Sequence, residues 1–369
     1  MVSLVSSLGD LDAKLPAGEL DDFELLETLG SGAYGTVYRC RCLRSVGGAL
    51  RDGIYAAKRI AKDNAAAHRS GLNELDIDAR LRPRPGAPPA RDRFCAAVHS
   101  ADAGAALWIV FECGGRALSN LIWTSVDGEW TRTHGAAERT YVVRRGEAWH
   151  ALLDGGGAEP FALLRELLVQ LVDATRRVSA ANVVHGDVKP DNVLVDFTPA
   201  GIDVRLVDFG SAFALDPEAK PTRVSSATPE YLAPECVLGD AAALRKAPVA
   251  AVDMFAVGMI FFEIACGFPL WFPYNSRVAD PEDRGPAPRR KGWTRGAVAV
   301  PHREGAKIAR RQIDIAKDVP GALKKMPGKG VSRDKDAMDL LGRMLCVNAH
   351  RRISPADALA HPFLAGHAP

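Results

Sequence analysis

The stretch HGDVKPDN, residues 185–192, places two carboxylates, a histidine, a lysine and an asparagine around one proline. Apolar residues flank it on both sides, NVV before and VLV after, which predicts a polar loop between two buried strands. A second polar turn, VDFG at 207–210, also follows an apolar strand. Because unpaired charges are costly to bury, this pattern indicates a site where the charged groups meet partners.

The side chains of these two turns suit phosphoryl transfer. Asn192 and Asp208 offer the hard oxygen ligands that Mg²⁺ accepts when phosphates supply the remainder. Asp187 can orient an attacking hydroxyl or take its proton, and Lys189 can neutralise charge on the transferring group. Phosphoryl transfer requires mainly positioning and charge compensation from a protein. Taken singly, each of these residues is more simply interpreted as a satisfied turn or cap.

A lysine in an apolar strand gives a second indication of phosphate chemistry. Lys58 lies in YAAKRI and needs a counter-charge if the strand is buried. Phosphate oxygens and a carboxylate on the following helix are the two candidates. We select Glu74 as that carboxylate, with Asp76 and Asp78 as alternatives, and expect at least one of the three to lie on a solvated helix face.

The motif GSGAYGTV, residues 30–37, has the spacing G-x-G-x-x-G. Dinucleotide-binding folds place this motif between a strand and a helix. Here strand-forming residues follow Gly35, so the motif is predicted to join two strands. Such a turn lets backbone N–H groups approach phosphates without obstruction by side chains, although an ordinary hairpin turn is the alternative.

The chain divides into a strand-rich N-terminal part and a larger helical part. Residues 23–60 alternate like strands, a helix is expected near 64–81, and LWIVFE at 107–112 is predicted to be a buried strand. The hinge between the parts is expected near 113–115. The clearest amphipathic helix is FALLRELLVQLVDATRRV, 161–178, followed by the short strands NVLVDF and DVRLVDF. One apolar face of this helix comprises Leu164, Leu167, Leu168, Leu171 and Val172.

Two segments have the character of insertions. Residues 124–160 are expected to be irregular and end in the glycine-rich stretch DGGGAEP. Residues 281–331 are expected to form a solvated, partly disordered loop, with a docking surface for acidic partners as the alternative. The basic residues of this second segment are Arg289, Arg290, Lys291, Arg310, Arg311, Lys324 and Lys325.

Length and composition restrict the class of protein. With 369 residues the chain exceeds one ordinary core, so two lobes or domains are expected. The formal net charge of +2 gives no indication of nucleic acid as a partner. Seven scattered cysteines favour a reducing compartment over a disulfide framework. Cys40 and Cys42 share a strand face but lack a second pair nearby, which disfavours a metal site.

No targeting or membrane signal is evident in the sequence. Residues 1–22 have neither a basic start nor an apolar core segment, which disfavours a secretory or organellar signal. The most apolar window, MFAVGMIFFEIACGFPL at 254–270, is interrupted by Glu263 and predicts a buried core helix. We therefore expect a cytoplasmic or nuclear protein without a membrane partner.

The order of five motifs resembles the eukaryotic protein kinase family over about residues 23–364: GSGAYGTV, AAK, HGDVKPDN, DFG and ATPEYLAPE. The resemblance implies an α+β, two-lobed fold. A small antiparallel β-sheet lobe with one helix would occupy about 23–113, and a larger, mainly helical lobe about 116–364. Residues 1–22 would be an extension and 365–369 a tail. ATP and Mg²⁺ would be the cofactors, and proteins the substrates.

The resemblance also implies roles for individual positions. Lys58 would hold the α- and β-phosphates, Asp187 would be the catalytic base assisted by Lys189, and Asn192 and Asp208 would bind magnesium. Glu112 would begin the hinge that hydrogen-bonds adenine through its backbone. The residues expected to form the flap over ATP and the adenine pocket are Leu29, Gly30, Ser31, Gly32, Gly35, Val37, Ala56, Glu112 and Leu194.

Further residues resemble the supports of a kinase site. Ala233-Pro234-Glu235 resembles the end of the activation segment, and Glu235 would pair with Arg352. Asp253 resembles the residue that braces the catalytic loop. Lys189 and Thr228 match the pattern of kinases that phosphorylate serine and threonine, so Ser/Thr transfer is expected.

The chain departs from the family pattern at two positions. Gly186 stands where the family usually has an arginine that meets a phosphate on the activation segment. We therefore expect activity that does not depend on phosphorylation of that segment, where Ser225 and Ser226 are the obvious acceptors. Four residues after Glu74 the family has an apolar side chain, but this chain has Asp78, so either the register is different or the helix packs unusually.

Two other classes of protein share part of this pattern. Small-molecule kinases similar to the aminoglycoside and choline kinases carry an HGD-type loop, but they lack a segment such as ATPEYLAPE. A pseudokinase scaffold typically loses the lysine, the base or the metal aspartate. All three are present here as Lys58, Asp187 and Asp208, which favours an enzyme.

Overall fold

The N-terminal part is an antiparallel sheet with one helix. The computed structural model describes residues 20, 22–32, 34–43, 53–82, 93–133, 136–154, 159–199, 201–214, 228–267, 277–278, 302–324 and 330–366. The first elements are β1 (Phe23–Gly32), β2 (Gly35–Cys42), β3 (Ile54–Ala61), α1 (Ala65–Leu81), β4 (Ala97–Ala103) and β5 (Ala106–Glu112). The strands form one sheet in the order β1-β2-β3-β5-β4. The predicted strands, helix and buried strand are therefore confirmed.

Alternate side chains of β5 point to opposite faces of the sheet, and both faces are buried. Trp108 and Val110 join one apolar cluster, which also contains Cys40 and Cys42. The intervening residues, such as Ile109, join a second cluster that lies under α1. Successive strand residues point to opposite faces, so one strand supplies both clusters.

The chain then enters the helical part through β6 (Arg116–Ala117), α2 (Leu118–Ile122), β7 (Trp123–Thr133), β8 (Ala136–Arg145) and α3 (Glu147–Asp154). The expectation of an irregular segment at 124–160 is wrong, because β7 and β8 form an antiparallel hairpin and α3 is helical. Valine, tryptophan, threonine and tyrosine in this stretch favour strands, and the glycine-rich end alone does not determine the structure. Residues 155–158 of that end lie outside the described part of the chain.

The core of the helical part is built on two helices. The next elements are α4 (Ala162–Ala180), β9 (Val183–Val184), β10 (Val193–Thr198), β11 (Gly201–Leu206), β12 (Phe213–Ala214), α5 (Pro234–Val237), α6 (Ala241–Lys246) and α7 (Ala251–Cys266). All five apolar residues predicted to share one face of α4 are buried. Every residue of α7 is buried, which confirms the predicted core helix. Among the described helices, none is long and apolar enough to span a membrane.

The last elements are β13 (Arg277–Val278), α8 (His302–Lys317), α9 (Val319–Lys324), α10 (Lys335–Met344) and α11 (Pro355–Leu359). The expectation of a loop throughout 281–331 is wrong over α8 and α9. In α8, the buried positions Ala309, Gln312 and Ile315 recur every three residues among charged ones, which is a helical period that the high charge obscured. Residues 279–301 and 325–329, including four of the predicted basic residues, lie outside the described ranges.

Candidate active site

Lys58 lies at the centre of the N-terminal sheet and is buried. In the strand register it faces Val37 of β2 and Ile109 of β5. Its ammonium donates to Oε2 of Glu74 at 2.7 Å and to Oδ1 of Asp208 at 2.8 Å. Burial alone would lower the pKa of Lys58, but the charges of Asp208 and Glu74 outweigh it and raise the pKa above its usual value. The lysine is therefore charged and joined to both parts of the chain.

The selection of Glu74 as the carboxylate on α1 is confirmed by this contact. The two alternatives point elsewhere, since Asp76 pairs with Arg80 and Asp78 pairs with Arg82. Glu74 is thus the helix residue that faces Lys58, as predicted. Of the two explanations for Asp78, unusual packing of the helix is therefore the correct one.

Asp78 forms a polar contact with β4 in place of apolar packing. Its Oδ1 accepts the backbone N–H of Ala97 at 2.9 Å. Arg82 donates to the carbonyl of Ala97 at 2.6 Å and to Oδ2 of Asp78 at 2.8 Å. Both backbone groups of Ala97 are therefore bound by side chains of α1 and its C-cap.

The loop at 185–192 is fixed from below by α7. Asp253 accepts the backbone N–H of His185 at 2.8 Å and that of Gly186 at 3.0 Å. Gly186 has φ 75°, in the left-handed region where a residue with a side chain is strained. Glycine adopts this conformation readily, whereas arginine, the usual residue of the family, would be strained here.

The polar residues of the loop contact one another. Lys189 donates to Oδ2 of Asp187 at 2.6 Å and to Oγ1 of Thr228 at 2.9 Å, the contact that the Ser/Thr pattern implied. Asn192 donates its amide to the carbonyl of Asp187 at 2.9 Å. Asp187, Lys189 and Asn192 are all buried, so these contacts replace hydration.

Backbone contacts join this loop to the turn at Asp208. The N–H of Val207 donates to the carbonyl of Asn192 at 2.9 Å, and the ring of His185 contacts the Val207 carbonyl at 3.1 Å. Asp208 follows with φ 66°. Lys58 lowers the pKa of Asp208 against the opposing effect of burial. Lys58, Asp208, Asn192 and Asp187 are thus linked by one continuous series of contacts.

The possible metal ligands of this site are too few to bind a metal ion without oxygens from phosphates. Among the described residues, no three His, Cys, Asp or Glu side chains are grouped so that they could hold a metal ion. One carboxylate, Asp208, and one amide, Asn192, therefore leave most positions of an octahedral Mg²⁺ to other oxygens. This is the ligand set expected for a metal bound together with a nucleotide.

The glycine-rich motif joins two strands, as predicted. Ser31 pairs with Thr36, and Gly32 pairs with Gly35, at the end of the β1–β2 hairpin. A Cβ atom at Gly35 would lie 2.3 Å from the carbonyl oxygen of Arg59, so no larger residue fits there. Leu29 is 46% exposed at the base of this hairpin, and Gly30 pairs with Val37.

The predicted adenine-pocket residues lie on both sides of the hinge. Ala56 on β3 pairs with Phe111, one residue before Glu112. Leu194 on β10 pairs with Ala117, shortly after the hinge. The N–H of Glu112 donates to the carbonyl of Ala96 at 3.1 Å, and Glu112 pairs with Tyr55 at the end of β5.

The supports of the site are also present. Arg352 donates to both carboxylate oxygens of Glu235, at 2.8 and 3.1 Å, which confirms the predicted pair. Arg352 also donates to the carbonyl of Ala251 at 2.6 Å, at the start of α7. Ser225 and Ser226 lie outside the described residues.

Two residues at the site were not predicted. Asn73, next to Glu74, donates its amide to the carbonyl of Ala212 at 2.6 Å and so ties α1 to the turn after Asp208. Gln312 of α8 donates to the backbone beyond Thr228. The only sequence signal for Gln312 is its place on the buried side of an amphipathic helix.

Comparison with known proteins agrees with this geometry. The sequence model of the protein kinase domain family matches residues 141–364, more than half of the chain. This chain belongs to the protein kinase domain family. The matched range contains the loop at 185–192, the turn at Asp208 and the pair of Glu235 with Arg352.

Mitogen-activated protein kinases are among the relatives of this kinase domain. The protein named hog1 of Blastobotrys adeninivorans is 34% identical over 206 residues, 55% of this chain and 46% of the relative. HOG1A of Wallemia ichthyophaga is 33% identical over 54% of this chain and 49% of its own length. Mitogen-activated protein kinase 15 of Xenopus laevis is 31% identical over 58% and 35%. The chain spans about half the length of the first two relatives.

Proposed function

We propose that this chain is a protein kinase that transfers the γ-phosphoryl group of Mg-ATP to serine and threonine hydroxyls of proteins. The proposal is carried by three linked contacts: Lys58 binds Asp208, the neighbouring N–H of Val207 binds the carbonyl of Asn192, and Asn192 binds the carbonyl of Asp187. These contacts support a site that would combine a cation, two metal-compatible oxygens and a base. Membership of the kinase domain family supports the same function.

Nucleotide binding is assigned to the cleft under the β1–β2 hairpin. Lys58 would hold the α- and β-phosphates, while Glu74 keeps its ammonium in place. Gly30, Gly32 and Gly35 would let backbone N–H groups of the hairpin approach the phosphates. Magnesium, held by Asp208 and Asn192, would supply charge neutralisation on the phosphates.

Proton handling is assigned to Asp187. Its carboxylate would orient the acceptor hydroxyl and take its proton. Lys189 remains charged at neutral pH, because Asp187 outweighs the effect of burial and raises the pKa of Lys189. Lys189 can therefore stabilise charge that develops on the transferred group. Its contact with Thr228 supports serine and threonine as acceptors.

We also propose that activity does not require phosphate on the activation segment. The Lys58–Glu74 contact is formed, and Gly186 offers no charge to a phosphate. Asn73 and Asp78 hold α1 in place through uncharged backbone groups. Replacing Ser225 and Ser226 together by alanine should leave most activity; a fall to background would contradict this part of the proposal.

Nucleotide turnover by wild type and Asp187→Ala separates an enzyme from a scaffold. Loss of a positioned base should lower the rate by about 10²–10⁴-fold while ATP binding is retained. Equal turnover by both proteins would contradict the assignment of Asp187. Binding of ATP without turnover by the wild type would instead favour the scaffold.

A further inference from the structure

Residues 228–232 lie directly against the catalytic loop. Thr228 accepts from Lys189, which also contacts Asp187. The N–H of Tyr231 donates to the carbonyl of Thr228 at 3.3 Å, so the backbone turns here. An acceptor hydroxyl that approached Asp187 would therefore pass close to this backbone.

Gln312 of α8 binds the backbone of this segment. Its Nε2 lies 3.1 Å from the carbonyl of Pro229, 3.0 Å from that of Glu230 and 2.8 Å from that of Leu232. Gln312 is 2% exposed. Its helix, α8, also packs against α5, which follows the same segment.

Three carbonyl oxygens that converge on one amide need that donor. An amide nitrogen carries two hydrogens, so the three acceptors must share them. Without the donor, the carbonyl dipoles would face one another in a buried space and lack partners, which destabilises this backbone shape. The Oε1 atom of Gln312 has no hydrogen-bond partner among the described residues, so the side chain is placed by its donor end.

The same segment is also held from below by α7. The hydroxyl of Tyr231 donates to the carboxylate of Glu263. Glu263 also accepts from the indole of Trp123 at 2.8 Å. This contact fixes a side chain, whereas Gln312 fixes the backbone itself. Gln312 thus contacts the backbone of a segment that is linked to Asp187 through Thr228 and Lys189.

We propose that Gln312 is a positioning residue for the acceptor peptide, which it orders through the backbone of residues 229–232. This inference rests on the proposed kinase function. Among the described residues, the hydrogen bonds of Gln312 go to the backbone of Pro229, Glu230 and Leu232, and none goes to Lys58 or Asp208, so we expect nucleotide binding to be independent of it. The residue acts on the peptide side of the reaction.

The kinetic test compares Gln312→Met with Gln170→Met. Methionine keeps the length of the side chain and removes the donor. Gln170 is a matched control, because it is also buried and also holds backbone, donating to the carbonyl of Ile202 at 2.7 Å and accepting from the N–H of Val204 at 3.0 Å. Both variants lose a buried amide, but only one lies beside residues 229–232.

We expect Gln312→Met to change the kinetics toward the peptide and not those toward ATP. Gln312→Met should lower kcat/KM for a serine peptide by about 10- to 100-fold, mainly through KM, and leave KM for ATP within about twofold. Gln170→Met should leave the peptide KM within about twofold. An equal effect of both variants on peptide KM, or an equal effect of Gln312→Met on both substrates, would overturn the proposal.

Amide hydrogen exchange tests the positioning without relying on catalysis. Exchange in a peptide covering residues 228–238 should accelerate in Gln312→Met and stay at the wild-type rate in Gln170→Met. Unchanged exchange in Gln312→Met would refute the ordering of this backbone. If the wild type transfers phosphate to no peptide, the proposed function fails and the role in acceptor binding fails with it, while the exchange result still decides whether Gln312 orders the segment.

Discussion

Helices α1 and α7 each place one carboxylate against the site, but they are held in different ways. Glu74 of α1 contacts Lys58, and Asp253 of α7 binds the backbone of the loop at 185–192. All 16 residues of α7 are buried. Of the 17 residues of α1, the buried ones are Ala67, Gly71, Glu74 and Ile77. The loop at 185–192 is therefore held by a helix of the apolar core, whereas the partner of Lys58 lies on a helix with few buried apolar residues.

Polar contacts compensate for this difference on α1. Asn73 binds the carbonyl of Ala212, and Asp78 with Arg82 binds both backbone groups of Ala97. Each such hydrogen bond contributes about 0.5–1.5 kcal/mol, far less than a fully buried helix gains. Substitutions around α7 should therefore mainly lower the free energy of unfolding. Substitutions on α1 should lower activity more than they lower the free energy of unfolding.

The largest effect is expected where Arg352 anchors the start of α7. Arg352→Ala leaves the buried carboxylate of Glu235 without its partner and should lower the free energy of unfolding by about 3–5 kcal/mol. Urea denaturation measures this change. Arg343→Ala is the control, because its pair with Asp339 is exposed and should contribute about 0–1 kcal/mol. Similar losses of unfolding free energy in both variants would contradict the claim that the buried pair stabilises the protein more than the exposed pair does.

On α1, Glu74→Gln should act on catalysis. The amide keeps the shape but removes the charge that opposes Lys58, so kcat/KM should fall by about 10- to 100-fold. The loss of unfolding free energy should be smaller than that of Arg352→Ala, since Lys58 retains Asp208. Steady-state kinetics and urea denaturation on the same preparation check both parts. Unchanged kinetics would contradict the role of α1.

A titratable group on the segment above α7 should make stability depend on pH. Burial raises the pKa of Glu230 from 4.5 to about 7. The folded protein then binds this proton more tightly than the unfolded chain, so stability falls as pH rises from about 4.5 to about 7 and is level above it. Partial exposure limits the loss to about 1–2 kcal/mol. Glu230→Gln should flatten thermal unfolding curves measured across this range; an unaltered slope would contradict the assignment.

The smallest effect is expected from Asn73→Ala. Loss of its bond to Ala212 should cost about 0.5–1.5 kcal/mol, seen as a roughly two- to tenfold lower kcat/KM. Leu72→Ala is the control on the same helix, because Leu72 is 48% exposed. Equal losses in the two variants would show that the contact with Ala212 has no special role.

Local patterns allowed much of the site to be predicted. The loop at 185–192, the turn at 207–210 and Lys58 are read from residues that are neighbours in sequence, and strand periodicity places them. The face of α4 follows from helical spacing. In each case the sequence signal that marks the residues lies within one element, although their partners lie on others.

The features that were missed depend on distant contacts or on mixed signals. Gln312 meets residues 229–232 across about 80 positions, and nothing local marks it. The bond of Asn73 to Ala212 has the same character. In α8, charged residues obscured the helical period of its buried positions. In the hairpin of β7 and β8, the glycine-rich end obscured the strand formers before it.

The most direct test of the central claim is phosphoryl transfer by the wild type to a degenerate peptide array. The array should offer serine, threonine or tyrosine at the acceptor position, with Mg-ATP labelled at the γ-phosphate. Convergence of Lys58, Asp187, Asn192 and Asp208 on one site predicts label on serine and threonine peptides that disappears when EDTA removes the magnesium. Label on tyrosine alone, or none on any peptide, would contradict it.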